Sequence, residues 1–482
     1  MSASEANWRP FWERIEKIFD PARPARDPAL FAQRLPKYNS LLRLQRRLRR
    51  GGRGTDGQYS RYLVAGTVGN GKTSELYQLA SRLADDRMVI YVDLFRHFEQ
   101  TVGDPAAIDR LESWELLGLL GLVIVRAGAD RFGHEWGEEL KRLGLAIDKL
   151  RKSDAGDDAS FDLVKLARGI VVAAGGVAGA VLGGPVAGVI AAKIGDTATE
   201  AGLAVVKAAA DATDWKWQIG LPGRKQRRDG EPEVKALVQA VNSLIMALQS
   251  AYARRLVLVV DGIDRVREER RMQSLFVDSS LLAELVCDAV VTGPEFMLHG
   301  LSQSVRDFRP VELCNVPVLD RSDPTRVGPG LGFFRELVDK RVAAVAQQSR
   351  PHSELLPDNP FPDEVVERLA YYSGGVVRDF IKMAHTAAGE AWEANAPSIS
   401  LAMVDEVLDE FRGAKQSRMT VGEIELLRSV MVDPNHGLPS DPAAFELLRQ
   451  QRLLPYPNEN PWYYPHPLLT LSLLRPAPGS AS

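Results

Sequence analysis

The stretch Arg61–Leu83, RYLVAGTVGNGKTSELYQLASRL, decides the fold class. Tyr62 to Ala65 form a short apolar strand, and Leu76, Leu79 and Leu83 recur at helical spacing after Ser74. Between strand and helix, Gly66, Thr67 to Asn70, Gly71, Lys72 and Thr73 spell G-x-x-x-x-G-K-[ST]. Glycines in such a loop let backbone N–H groups converge on phosphate oxygens, and the helix N-terminus adds its positive dipole end. A lysine in this position neutralises β- and γ-phosphates, and the following hydroxyl ligates Mg²⁺. The pattern therefore assigns Gly66, Thr67, Gly69, Asn70, Gly71, Lys72, Thr73 and Ser74 to an ATP/ADP site with Mg²⁺.

A phosphate loop needs an acid near the metal, and RRLVLVVDGIDRV (Arg254–Val266) provides one. Leu256 to Val260 is a continuous apolar run, as expected of a strand buried on both faces. It ends in Asp261, at the C-terminal edge where open α/β sheets bind ligands, so Asp261 is the expected Mg²⁺ acid. Asp264 reads two ways, as a group that orients the attacking water or as the cap of a following turn. Two more strands fit the same sheet. MVIYVDLF (Met88–Phe95) places Asp93 at its end, and DAVVTGPEF (Asp288–Phe296) runs into Thr292. Thr292 is either a reporter beside the γ-phosphate or an ordinary turn former.

The order GTVGNGKTSEL, VLVVDGIDRV, AVVTGP and YYSGGVVRDFIKMA resembles the additional-strand P-loop ATPases, the broad AAA+ and STAND group. The DxxDR of Asp261–Arg265 is similar to KAP-type NTPases, and the SGGxxRD segment resembles the helical lid of origin-recognition-type and STAND ATPases. The likeness covers roughly residues 60–100 and 234–415. It implies that Arg378 is a sensor arginine reaching nucleotide from the lid; read from the residues alone, Arg378 is a surface arginine after a Gly-Gly helix start. Most AAA+ ATPases carry Glu directly after the metal acid, whereas this chain has Gly262, which implies slow hydrolysis.

After the lid, VGEIELLRSVM, PAAFELLRQQRLL and PYPNENPWYYPHPLL read as two helices and a β-ribbon turning at Pro457–Asn460. This resembles a winged helix, an intramolecular latch in STAND proteins and a DNA-binding module in origin-recognition proteins. The second helix (Ala443–Leu454) offers Arg449 and Arg452 but also Glu446, too little positive charge for phosphate contacts, so the latch is favoured over nucleic acid. His466, beside Trp462, Tyr463 and Tyr464, reads as wing packing.

Length and composition agree with this plan. The 482 residues suit about three domains. The expected layout is a helical N-terminal region (1–58), an α/β ATPase core (59–318), a helical lid (319–415) and a winged helix (416–482). A net charge of −3 gives no global field towards nucleic acid or anionic lipid. Cys287 and Cys314 lack CxxC spacing, and MSASEANWRPFWERIEK lacks a secretory layout, so a reducing, cytoplasmic setting is expected. Arg43–Gly54 puts five arginines on one helix and Arg53 after it. That helix is either packed with a solvated basic face or available to phospholipid, nucleic acid or a neighbour's nucleotide. Gly223–Glu231 reads as an exposed linker.

An insertion of about residues 135–230 separates the two nucleotide strands and contains GIVVAAGGVAGAVLGGPVAGVIAA (169–192). Gly175, Gly179 and Gly183 present one bare helical face for close contact with another helix. Gly184-Pro185 breaks the stretch, and strands on both sides must share one sheet, so a single permanent span is excluded. What remains is a glycine-faced hairpin, either buried in the protein or an oligomer, held latent, or inserted re-entrantly from one membrane face. The expected whole is an ATP-driven switch that controls assembly, suited by analogy to bacterial defence or signalling. The competing expectations are a nucleic-acid-binding ATPase and a membrane effector whose nucleotide only stabilises the fold.

Overall fold

A computed structural model describes residues 7–50 (apart from 23 and 26), 59–99, 105–152, 229–299 (apart from 267), 305, 307–349, 356–471 and 474. The glycine-rich stretch 169–192, Arg53 and most of the linker at 223–231 lie outside the described residues. The chain forms two compact units. One gathers residues 40–65 and 75–312; the other gathers 1–39, the loop 66–74, and 313–482.

The first unit is a five-stranded parallel sheet with helices. Its strands are β1 (Arg61–Ala65), β2 (Met88–Asp93), β3 (Leu256–Asp261), β4 (Asp288–Gly293) and β5 (Arg309–Glu312), ordered β2-β3-β4-β1-β5. β4 lies between the strand that feeds the phosphate loop and the strand that ends in Asp261. That inserted strand is what an additional-strand P-loop fold requires, and the α/β class is as the sequence indicated. All six residues of β3 and of β4 are buried, as central strands of a parallel sheet should be. The strand in MVIYVDLF ends at Asp93, as expected, because the Asp93 carboxylate accepts the Arg96 N–H at 3.0 Å and starts a helical turn, Leu94–His97.

A long helix spans Ser113–Phe132. It starts in a capping box of Glu112 and Glu115 and ends at Gly133, whose φ is +63°. With the helix Pro232–Tyr252 it buries a continuous apolar cluster against the sheet. Pro232–Tyr252 is the one described helix that is long and apolar enough to cross a membrane. Leu237, Val241, Leu244, Ile245 and Leu248 of that helix are fully buried in the same core. The basic helix Ser40–Arg50 buries Leu41, Leu44 and Leu48 and leaves Arg43, Arg46, Arg47, Arg49 and Arg50 exposed. Its apolar stripe is packed and its basic face is exposed.

The second unit is helical. Its N-terminal helix Arg9–Ile18 packs on the lid helix Val377–Glu393, with the Trp12 indole N–H donating to the Ala396 carbonyl at 2.7 Å. The winged-helix ribbon forms between β6 (Leu453–Tyr456) and β7 (Trp462–Pro465), antiparallel about the expected turn. The helix expected over Ala443–Leu454 is shorter, Pro442–Arg449. Gln451 takes a left-handed φ of +56°, which ends the helix, and Leu453 and Leu454 enter β6 instead.

Candidate functional site: a phosphate loop and an acidic sheet edge

The loop Gly66–Ser74 follows β1 directly and runs into the helix Lys72–Leu83. Gly69 and Gly71 have φ of +83° and +91°, a conformation that L side chains rarely adopt. A Cβ on Gly69 would stand 2.9 Å from Cβ of Arg378, so a side chain at position 69 would force the lid away from the loop. Lys72 is buried, and its Nζ donates to the Gly66 carbonyl at 2.7 Å and the Thr67 carbonyl at 3.0 Å. The ammonium is therefore folded into the loop that the motif assigns to phosphate. Thr73 and Ser74 occupy the first turn of the helix, partly exposed.

Two asparagines shape the loop from inside. Asn70, fully buried, donates through Nδ2 to the Leu313 carbonyl. Asn315, also fully buried, accepts the Thr67 hydroxyl at 3.0 Å, and its backbone N–H donates to Pro455 O of β6 at 3.1 Å. Arg378 meets the loop through its main chain, since its N–H donates to the Gly69 carbonyl at 2.9 Å. The expected sensor arginine is thus at the loop, held there by backbone.

In the sheet unit the strand register sets a row of polar residues. Asp93 of β2 pairs with Asp261 of β3, Val260 pairs with Val291, and Thr292 pairs with Val64 of β1. Asp93, Asp261 and Thr292 therefore stand side by side at the C-terminal edge. Asp261 is buried and both of its oxygens accept hydrogen bonds, Oδ1 from the Gly262 N–H at 2.8 Å and Oδ2 from the Tyr91 hydroxyl at 2.7 Å. Burial, and then the neighbouring Asp261 charge, hold the Tyr91 phenol well above its ordinary pKa, so it stays a donor. Tyr77 stacks on the Tyr91 ring at 4.4 Å and fixes its plane. The Thr292 hydroxyl is fully buried with no hydrogen-bond partner among the described residues, an arrangement that calls for an oxygen ligand or a water.

The departure at Gly262 has a steric cause. Its φ is +88°, and a Cβ there would lie 2.5 Å from the Phe95 nitrogen and 2.9 Å from Phe95 Cβ. The helical turn started by Asp93 occupies the space that a glutamate side chain would need. Asp264 sits within the 3-10 turn Ile263–Arg265, half-buried, three residues beyond Asp261.

Sequence reasoning identified the loop and Asp261 but missed Tyr91, Asn315 and Arg34, which touches the loop at Asn70. Tyr91 left one signal, a polar-tipped residue inside the apolar run MVIYV. The other two left none, because they act on backbone carbonyls or from loops far away in sequence. The winged helix uses its cations internally: Arg449 forks onto Glu446 at 2.7 and 2.6 Å, and Arg452, buried, donates to the carbonyls of Lys415 (3.2 Å) and Ser417. His466 is structural, fully buried, with Nε2 3.5 Å from Asp379 Oδ2, while Lys415 Nζ stands 2.9 Å from the same oxygen.

No protein-family model matches the chain, and no curated protein matches it. Among solved structures, the chain is similar to Cdc6p from Pyrobaculum aerophilum, at 10% identity over 95% of this chain and 96% of that one, with a TM-score of 0.38. It is similar to the Aeropyrum pernix ORC1 protein, solved in complex with DNA, at 12% identity over 98% and 97% of the two chains, with a TM-score of 0.37. It also resembles the Thermotoga maritima RuvB branch migration motor, at 14% identity over 51% and 84%, with a TM-score of 0.25. At such scores the fold assignment rests on the sheet order and the phosphate loop of the chain itself.

Proposed function

We propose that this chain is an ATP-binding, slowly hydrolysing P-loop ATPase whose nucleotide state controls how its lid and winged helix are held, and through them its assembly. One observation carries the reading. A strand runs into a loop with two glycines at positive φ, and that loop enfolds a buried lysine at the start of a helix. The group chemistry fits ATP with Mg²⁺: Lys72 and the loop N–H groups suit phosphates, Thr73 and Asp261 suit the metal, and Thr292 offers an orphan hydroxyl. Bound Mg²⁺ supplies charge neutralisation on the phosphates.

The protein's own residues then do the remaining work. Lys72 binds phosphate charge, Tyr91 keeps Asp261 oriented, and Arg378 ties the lid to the loop. Asp264 is the remaining candidate to orient a water, since Gly262 leaves no glutamate to polarise it; hydrolysis is accordingly slow. The winged helix serves as an internal latch, supported by Asn315 to Pro455 and by Tyr456, whose hydroxyl donates to the Gly374 carbonyl at 2.8 Å. The stretch 169–192 is the proposed element for contact with a second copy, a protein partner or a membrane face.

Equilibrium binding of a fluorescent ATP analogue tests the reading. Lys72→Ala should weaken binding on the order of 100-fold, the loss of a charged hydrogen-bonding group. Light scattering with and without a non-hydrolysable ATP analogue reads assembly, and an unchanged mass would remove the switch while leaving nucleotide binding intact.

A further inference from the structure

Five successive carbonyls of the phosphate loop are held by donors other than the loop's own backbone. Lys72 Nζ takes those of Gly66 and Thr67. The Val68 carbonyl accepts from the Gln451 side-chain amide of the winged helix, and the Gly69 carbonyl from the Arg378 N–H of the lid. The Asn70 carbonyl accepts from the Arg34 guanidinium, which arrives from the N-terminal segment. Besides Lys72 of the loop itself, these donors come from positions 34, 378 and 451, all within the unit that carries the loop.

Arg34 is the most tightly built of them. It is 7% exposed, its second terminal nitrogen donates to the Cys314 carbonyl at 2.9 Å, and its guanidinium stands 5.7 Å over the Phe333 ring. A planar guanidinium with both terminal nitrogens engaged and one face on a ring has little freedom to rotate. The peptide it holds joins Asn70 to Gly71, one residue after Gly69, and glycines have several backbone conformations of similar energy, so the loop alone does not fix that peptide's direction. Because a trans peptide points its C=O and the next N–H to opposite sides, anchoring the Asn70 carbonyl turns the Gly71 N–H away from Arg34.

We propose that Arg34 is a positioning residue for phosphate recognition: by holding the Asn70 carbonyl it sets the Gly71 N–H to donate to a nucleotide phosphate. This rests on the nucleotide reading above. Its effect belongs to the phosphates and not to the nucleoside, which separates it from a general role in folding.

The test measures ADP, ATP and adenosine binding to full-length wild type, Arg34→Ala, Arg34→Lys and Lys72→Ala by titration calorimetry or competition. Arg34→Ala should weaken ADP and ATP about tenfold, leave adenosine unchanged, and regain ADP affinity in millimolar guanidinium. Lys72→Ala should show no such rescue. Arg34→Lys, which keeps the charge but loses the fork, should fall between wild type and alanine, and its ADP-to-adenosine split decides the matter if Arg34→Ala does not fold. Wild-type ADP affinity in the Arg34 variants, or an equal loss for adenosine, would overturn the positioning role alone. Absence of ADP binding by the wild type, or wild-type affinity in Lys72→Ala, would instead overturn the nucleotide reading.

Discussion

The phosphate loop and the acidic sheet edge are built by opposite means. In the loop, backbone carbonyls are oriented by donors from three separate segments, Arg34, Arg378 and Gln451. At the edge, side chains are oriented by strand register and by near neighbours: Asp93 beside Asp261 beside Thr292, with Tyr91 two residues from the end of its own strand. A glycine-rich loop has little stiffness of its own and borrows it from outside. A buried parallel sheet is already rigid, so its edge needs only local help. Damage to the loop should therefore spread to distant segments, whereas damage at the edge should stay local.

The severest test of the local half is Gly262→Glu, which places the side chain common in relatives of the proposed family. Positive φ and collision with Phe95 should cost about 2–5 kcal/mol together. Thermal unfolding should show a lower midpoint, and phosphate release should show no gain in hydrolysis. A variant as stable as wild type would mean that the turn Leu94–His97 yields easily, and the contrast between a rigid edge and a pliant loop would fail.

Tyr91→Phe is milder. It leaves Asp261 Oδ2 without its buried donor, at about 1–3 kcal/mol by the usual penalty for an unsatisfied polar atom. Denaturant unfolding should report that loss. ATP turnover should become more sensitive to Mg²⁺ concentration, while adenosine affinity stays put. A loss of adenosine affinity would show that the edge, like the loop, transmits at a distance.

At neutral pH the smallest effect comes from the buried histidines, which matter in acid. His97, in the turn after β2, is buried without a hydrogen-bond partner for either ring nitrogen among the described residues, and burial lowers its pKa to about 3. His466 is lowered to about 4, by burial first and then by Lys415, against the pull of Asp379. In each case the unfolded chain takes up the proton first, near the ordinary value of 6.5. Stability is therefore complete above about pH 6.5 and declines as pH falls through that window, towards about 3 for His97 and about 4 for His466. Asp379 behaves differently. Burial pushes its carboxyl up, but His466 and Lys415 outweigh that and hold it well below the ordinary range. Its contribution is complete above its unfolded value of about 3.8 and is lost progressively as pH falls below that. His97→Leu should flatten the decline of stability between pH 6.5 and 4 measured by denaturant titration. An unchanged slope would show that His97 finds a partner in solution.

How much of this was readable in advance follows from the kind of interaction. The motif Gly66–Thr73 and the apolar run ending in Asp261 declare themselves, because each residue type has a direct chemical task at a fixed spacing. The ribbon at Pro457–Asn460 was equally plain from its turn residues and aromatic flanks. The end of the second winged helix was not, since Gln451 adopts a left-handed conformation that its residue type does not advertise. The reason for Gly262 also stayed hidden, because it lies in Phe95, a neighbour brought there by the fold.

By itself, then, the sequence determined the sheet, the loop and the acid, through short-range spacing and through apolar runs that must be buried. Tertiary structure alone decided which residues hold the loop. A backbone carbonyl accepts from any donor that reaches it, so neither the identity nor the chain position of Arg34 or Gln451 is encoded in the motif they support.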